Sequence, residues 1–433
     1  MLKLVLGASG SGKTTLLYAR IRARAEAGKR SILLVPEQFT SSTEARIYRE
    51  LGDALSGMVE SYSFTSLAEH ILAVEGGAAV QTLTDAGRAV LVRRALEELQ
   101  DNVHYYYRHR RSAAFCQMAA ETIDELKSAG LSGQQLQELA RDCGTESAKL
   151  GELALIFQGY ESLLAGTGMD PADRLELAAD RLEAALARDE LPDFLREREV
   201  FIDEFDTFNA PKKRLMGAML AALPAVTVAL CEDGAPMQPG DLELFSGAKQ
   251  VAAQLRQLAR KNGAQVAAPE LLRRDLRHKD APGLAALTEL LETGSCTPPE
   301  SAPELRLFAA ASREEEARCA TAAIRRLMRQ GVRCGKIAVV CRDISLYRAA
   351  VRYEFRMAEI PLYCDEPTTP EFSAPATAVR ALLALLRGAD MTEQLTVLAK
   401  TGLCDLTEPE VCALENYAYT WSPNAAAWRA EFT

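Results

Sequence analysis

"GASGSGKTT", residues 7–15, follows the apolar "MLKLVL" and opens a segment of helical period. The pattern G-x-x-x-x-G-K-[ST] is filled here by Gly7, Gly12, Lys13 and Thr14, with Gly10 inside the loop, and it stands between a strand and a helix as its chemistry requires. Glycines let successive backbone N–H groups turn inward around phosphates, and the following helix adds its positive end. Lys13 would reach the β and γ phosphates and the Thr14 hydroxyl would bind Mg²⁺, with Ser11 and Thr15 completing the nucleotide contacts. The plain alternative is a Gly/Ser turn joining a strand to a helix.

Outward from this loop the chain alternates. "KLVL" reads as a buried strand, "KTTLLYARIRARAEAG" as a helix stopped at Gly28, and "SILLVP" as a second strand closed by Pro36. A strand, helix, strand unit implies a parallel sheet. "MVESYSF" is a third strand candidate; from about residue 82 to 190 the pattern is almost wholly helical, "TDAGRAVLVRRALEELQ" opening on a Thr84 cap. "EVFIDEF" (199–205) and "AVTVALCED" return to buried strand, so the helical block reads as an insertion. Between about 232 and 303 the sequence loosens, with "ETGSCTPPESAP" as a linker. Beyond it, "ELRLFAA", the helix "SREEEARCATAAIRRLMRQG" and "KIAVVCR" suggest a second strand, helix, strand set, in which Glu314 to Glu316 form the charged first turn of the helix.

A length of 433 residues suggests two or three domains. No apolar run approaches the roughly 18 residues that span a bilayer, and the N-terminus carries no charged-then-apolar leader, so the expected compartment is the cytoplasm without membrane contact. The ten cysteines include no C-x-x-C pair, and four histidines are too few to suggest a metal centre; the thiols read as buried or idle. A net charge of −10 argues against a protein that coats nucleic acid generally, leaving room for a narrow channel on an acidic body.

"FIDEF" is the second chemical motif. An apolar strand ending in Asp203 and Glu204 fits a Walker B, with Asp203 facing the Mg²⁺ shell and Glu204 polarising the attacking water. Alone, an acidic pair after a strand is commonly a solvated turn; the upstream loop gives it meaning.

The loop at the N-terminus, "LLVPEQFTSSTEARIY", "VESYSFTSLAEHIL", "VFIDEFDTFNAPKKRLM" and "KIAVVCRDISLYRAAVRYEFRMAEIPLYCDE" occur in the order of a UvrD-like superfamily 1 helicase, and together they resemble the AddB family. The resemblance spans nearly the whole chain. It implies an α/β fold: a P-loop NTPase (RecA-like) parallel sheet over 1–82 and 195–300 (motor domain 1A), a helical insertion over 83–194 (1B), and the start of a second RecA-like domain over 301–433 (2A). It implies a subunit of a helicase–nuclease that resects double-strand breaks for recombinational repair, paired with an AddA-type subunit and engaging DNA ends and single-stranded DNA while scanning for Chi. ATP and Mg²⁺ are the implied cofactors. The family's nuclease domain, with its iron–sulfur cluster, is expected beyond "WRAEFT", so this chain is expected to be a fragment without nuclease activity.

Carried over residue by residue, "VPEQFT" resembles a segment touching single-stranded DNA, making Gln38 and Thr40 candidate hydrogen-bonding groups and Phe64 of "SYSFTS" a candidate base platform. The plain alternatives are helix capping by Thr40 and core packing by Phe64. Arg342 in "VVCRD" resembles the motif IV arginine that reaches phosphate across the motor cleft, or else is a surface partner of Asp343. Two departures weaken the motor. Only six residues precede Gly7, where UvrD-like motors carry an adenine-reading glutamine segment, and D-E-x-Q is here Asp203, Glu204, Phe205, Asp206, without the glutamine that links γ-phosphate to DNA. The expectation is a chain that binds ATP and hydrolyses it weakly. The alternatives are a free-standing P-loop ATPase or kinase, and a structural scaffold with a vestigial loop.

"VHYYYRHRRS" in the helical block offers stacking rings beside guanidinium groups, or else amphipathic packing with a solvated face.

Overall fold

The computed structural model describes residues 1–77, 81–236, 244–364 and 370–430, the side chain of Glu371 excepted. The chain divides into two units, Met1–Leu305 and Arg306–Thr433. The stretch 237–243 within the loosened segment and the last two residues of "YCDE" lie outside the described residues.

In the first unit, β1 (Leu2–Gly7), α1 (Lys13–Glu26), β2 (Ser31–Leu34), α2 (Thr40–Leu51), the single turn α3 (Asp53–Ser56), β3 (Val59–Tyr62) and α4 (Phe64–Glu75) lead into five helices. These are α5 (Asp85–Glu98), α6 (Ala113–Ser128), α7 (Gly133–Arg141), α8 (Ser147–Leu164) and α9 (Pro171–Ala187). β4 (Glu199–Ile202), α10 (Ala210–Ala222), β5 (Ala225–Cys231), α11 (Ser246–Lys261), β6 (Glu270–Leu272) and α12 (Pro282–Thr293) complete it.

The strands form one sheet in the order β3-β2-β4-β5-β1-β6. Every pairing is parallel, as in Leu2 against Val226 and Ser31 against Glu199. Strand positions alternate between two buried faces, which is why the strands read as continuous apolar runs. Leu4, Leu6, Ile32, Leu34, Val200, Ile202, Val226 and Val228 pack under α4, α9, α10 and α11. Val5, Leu33, Phe201 and Ala229 pack on the other face with Leu17, Tyr18 and Ile21 of α1. A sheet covered on both sides exposes its functional atoms at the carboxyl ends of its strands.

The segment 83–194 does not share one core. Helices α5, α6, α7 and α8 bury their own cluster around Phe115, Ile156, Phe157 and Tyr160. Helix α9 instead sends Leu175, Ala178, Ala179 and Leu182 into the core beneath the sheet. The two cores are tied by a buried ion pair: Lys127 Nζ donates to Asp170 Oδ2 at 2.7 Å and to Asp173 Oδ2 at 2.8 Å, while the Tyr160 hydroxyl donates to Asp170 Oδ1 at 2.6 Å. Thr84 caps α5 through its hydroxyl, as its sequence position predicts.

Three elements were not foreseen in the loosened stretch, namely α11, β6 and α12. The second unit differs more. It holds α13 (Arg313–Arg329), α14 (Ile344–Met357), α15 (Ala374–Leu386), α16 (Met391–Ala399) and α17 (Glu408–Trp421), with a small core around Ile324, Val351 and Phe355. The acidic first turn of α13 stands as expected, capped by Ser312. "ELRLFAA" and "KIAVVCR", expected as strands, form none: Leu307 is 99% and Val340 90% exposed. Neither has a ladder partner among the described residues, and an extended segment without one leaves its backbone groups to water.

Candidate nucleotide site

The loop between β1 and α1 is built from its glycines. Gly12 caps α1 at φ 92°, and Gly10 lies at φ 81°, a region costly to residues with a Cβ. Gly7 is required for a different reason, since a Cβ there would stand 2.4 Å from Ser11 Oγ and 2.7 Å from the Leu272 carbonyl oxygen. The Lys13 ammonium folds back into the loop and donates to the carbonyl oxygens of Gly7 at 2.7 Å and Ala8 at 2.8 Å. Burial lowers its pKa, opposed by the neighbouring Cys231 and Asp203. Ser11 is 5% exposed and its hydroxyl oxygen has no hydrogen-bond partner. A phosphate group fits that position, because it would give the orphaned hydroxyl an acceptor and Lys13 a stronger partner than two carbonyls.

Asp203 follows β4, and its N–H donates to the Leu34 carbonyl oxygen at 3.0 Å, which holds it at the sheet edge. Strand β5 lies between β4 and the loop strand β1. The Asp203 carboxylate accepts from the Glu204 N–H at 3.0 Å, and the nearby Thr14 hydroxyl favours its ionised form. Burial nevertheless raises its pKa. Thr14 and Asp203 thus meet as a hydroxyl–carboxylate pair of the kind that binds Mg²⁺ beside phosphates. Glu204 is exposed and takes φ 65°, a conformation that costs a non-glycine residue about 1–3 kcal/mol. Partial desolvation and the adjacent Asp203 raise its pKa.

Two cations of the site were missed in the sequence. The segment leaving β6 runs over the loop: Leu276 N–H donates to the Gly10 carbonyl oxygen at 3.0 Å and Arg277 Nη1 to Ser9 Oγ at 3.2 Å. Asp275 fastens this turn, accepting from the N–H groups of Arg277 at 3.0 Å and His278 at 3.1 Å. The basic run "RRDLRHK" directly after Leu271 and Leu272 was the available signal. Arg46 of α2 lies 4.8 Å from the Tyr18 ring centroid, and its charge favours the ionised forms of Asp203 and Glu204. Nothing in the sequence singles it out.

The other sequence candidates divide. Gln38 is exposed and Thr40 half-buried in and beside a one-turn helix, Glu37–Phe39, directly after β2 at the same edge of the sheet. Thr40 does not cap α2; its hydroxyl donates to the Glu37 carbonyl oxygen at 3.0 Å. Thr15 is exposed on the first turn of α1 and Asp206 is exposed beyond β4. Phe64 is 2% exposed, its ring edge-on to Phe205 at 5.2 Å and Phe208 at 6.0 Å. Its aromatic face is spent on the core, so the base-platform expectation gives way to packing. Arg342 is exposed in the second unit; Asp343 caps α14 through Ser345 instead of pairing with it. Among the described residues no helix is long and apolar enough to cross a membrane.

Residues 4–288 match the family model described as "ADDB, N-terminal". Over 99% of its length the chain is 32% identical to the ATP-dependent helicase/deoxyribonuclease B subunit of Desulforudis audaxviator, covering 37% of that protein. It is 31% identical to the protein of the same name from Moorella thermoacetica, again over 99% of the chain and 38% of the relative. A third similar protein of that name, from Symbiobacterium thermophilum, is 30% identical over 99% of the chain. The chain therefore spans less than two fifths of the length of these relatives.

Proposed function

From the premise that the chain belongs to the AddB family, we propose that it is the helicase-like part of a DNA-end-processing subunit, and that its glycine loop binds Mg-ATP. In this reading residues 1–82 and 195–300 are a RecA-like motor domain, 83–194 its helical insertion and 301–433 the start of a second motor domain. An AddA-type subunit is the partner, and single-stranded DNA runs past Gln38 and Thr40 at the carboxyl edge of the sheet.

The observation that carries the nucleotide reading is the orphaned Ser11 hydroxyl inside a cradle whose lysine is parked on two carbonyl oxygens. The loop N–H groups and Ser11 take phosphate oxygens, and Lys13 turns from Gly7 and Ala8 toward the β and γ phosphates. Thr14 and Asp203 hold Mg²⁺, which neutralises phosphate charge. Glu204 orients water, and Arg277 adds a cation over the loop.

Calorimetric titration with Mg-ATP tests this. The expected result is binding by the unmodified chain and none detectable in Lys13→Ala; equal affinity in the two would overturn the site.

A further inference from the structure

The stretch between α5 and α6 is irregular yet tightly held. Three successive backbone N–H groups, those of His104, Tyr105 and Tyr106, donate to the Glu152 carboxylate of α8 at 2.7, 2.6 and 3.1 Å. Glu152 is only 9% exposed, so it is an internal anion satisfied by the loop's own backbone. Tyr106 packs on Phe115 at 5.0 Å and Val103 is fully buried, which pins the loop to the helical core.

What this anchoring leaves outside is specific. Tyr105 is 57% and Tyr107 53% exposed. Arg108 and Arg111 are exposed, and the half-buried Arg110 guanidinium lies 4.1 Å from the Tyr107 ring centroid. None of the three arginines pairs with a carboxylate among the described residues, although acidic residues outnumber Lys and Arg by 60 to 50 in this chain. Packing on the helical core accounts for Tyr106, and the Tyr105 ring stands edge-on to it at 4.9 Å while remaining largely exposed. Two half-exposed aromatic rings and three guanidinium groups without a carboxylate partner, on a preset backbone, match a polymer of alternating flat bases and phosphates.

We propose that the loop 103–112 is a contact for single-stranded nucleic acid, separate from the nucleotide site: Tyr105 and Tyr107 stack on bases, and Arg108, Arg110 and Arg111 bind the phosphates. Glu152 is a positioning residue that fixes the loop's shape.

The test is fluorescence anisotropy with a labelled oligothymidylate and an oligouridylate, each about 16 nucleotides long, the upper site size of known stacking platforms. The Tyr105→Ala/Tyr107→Ala variant should bind roughly 5- to 150-fold more weakly for each base it no longer stacks. The Arg108→Gln/Arg110→Gln/Arg111→Gln variant should lower the slope of log affinity against log salt by about 2, from about 0.7 per phosphate. Similar losses with both probes mean that the loop reads stacking and phosphate alone, whereas a preference names DNA or RNA as the ligand. Circular dichroism melts identify any variant that has unfolded. Unchanged affinity and salt slope in both variants would overturn the proposal, as would a chain that binds neither oligonucleotide at low salt. Failure of the nucleotide reading is distinguishable, because it shows as absent Mg-ATP binding with these losses intact.

Discussion

The backbone N–H of Leu276 donates to the carbonyl oxygen of Gly10 at 3.0 Å, so the segment leaving the edge strand is fastened to the tip of the glycine loop. Added at Gly10, a Cβ would stand 2.8 Å from the Arg277 Cβ and 2.9 Å from Asp275 Oδ1, at a φ of +81°. Gly10→Ala should therefore cost about 1–3 kcal/mol of stability and weaken Mg-ATP binding. Urea denaturation and calorimetry measure the two. An unchanged denaturation midpoint would mean that the clamp carries no strain.

Turnover should be low. In the proposed motor reading Asp206 takes the place of the glutamine that would donate a hydrogen bond, and a carboxylate there would repel the γ-phosphate. Steady-state hydrolysis should stay below about 1 s⁻¹, the low end for enzymes, with little response to single-stranded DNA, and Asp206→Gln should increase that response. Strong DNA stimulation of the unmodified chain would restore a full motor.

Asp203 sets a pH dependence. Burial raises its folded-state pKa, so the native state holds this proton more tightly than the unfolded chain does. Its contribution to stability is most favourable below the unfolded carboxylate value and declines as pH rises through the folded one. Asp203→Asn should therefore melt at a higher temperature than the unmodified chain at pH 7, an advantage that vanishes near pH 4, the ordinary carboxylate range, while Mg-dependent nucleotide binding is lost. A lower melting temperature for the variant at pH 7 would contradict this sign.

Phe64 separates packing from recognition. Truncating a fully buried phenylalanine costs about 3–5 kcal/mol, and the ring here supports Phe205 and Phe208 below the sheet. Phe64→Leu, which keeps most of the volume, should recover much of the loss seen in Phe64→Ala and leave oligonucleotide affinity unchanged. A selective loss of DNA binding in the leucine variant would return this ring to the interface.

The legibility of this fold follows from burial. β1, β2, β4 and β5 are covered on both faces and announce themselves as apolar runs, and the glycine loop must occur at a strand end for its amides to converge. β6 has three residues and Leu271 is 36% exposed, so it carries no such signal. Arg277 could not be placed from sequence because it meets Ser9 across 268 positions. Phe64 was ambiguous because an aromatic after a strand serves a core and a base equally well; only its neighbours decide. The absent strands in 304–310 and 336–342 show the reverse failure, since alternating apolar residues specify a strand only where another strand stands ready to pair.

The strand order has a consequence for synthesis. β1 has no neighbour in the sheet until β5 and β6 exist, because Leu2 pairs with Val226 and Val5 with Glu270. At ribosomal speeds of about 5–20 residues per second, the first strand waits roughly 10–45 s for its inner partner. During that interval "LKLVLG" is an unpaired apolar ribbon on a nascent chain, while the helices α5 to α8 already have a core of their own to close. The earliest strand of this sheet is thus among the last to be locked, and a slowed ribosome would lengthen its exposure to misassembly.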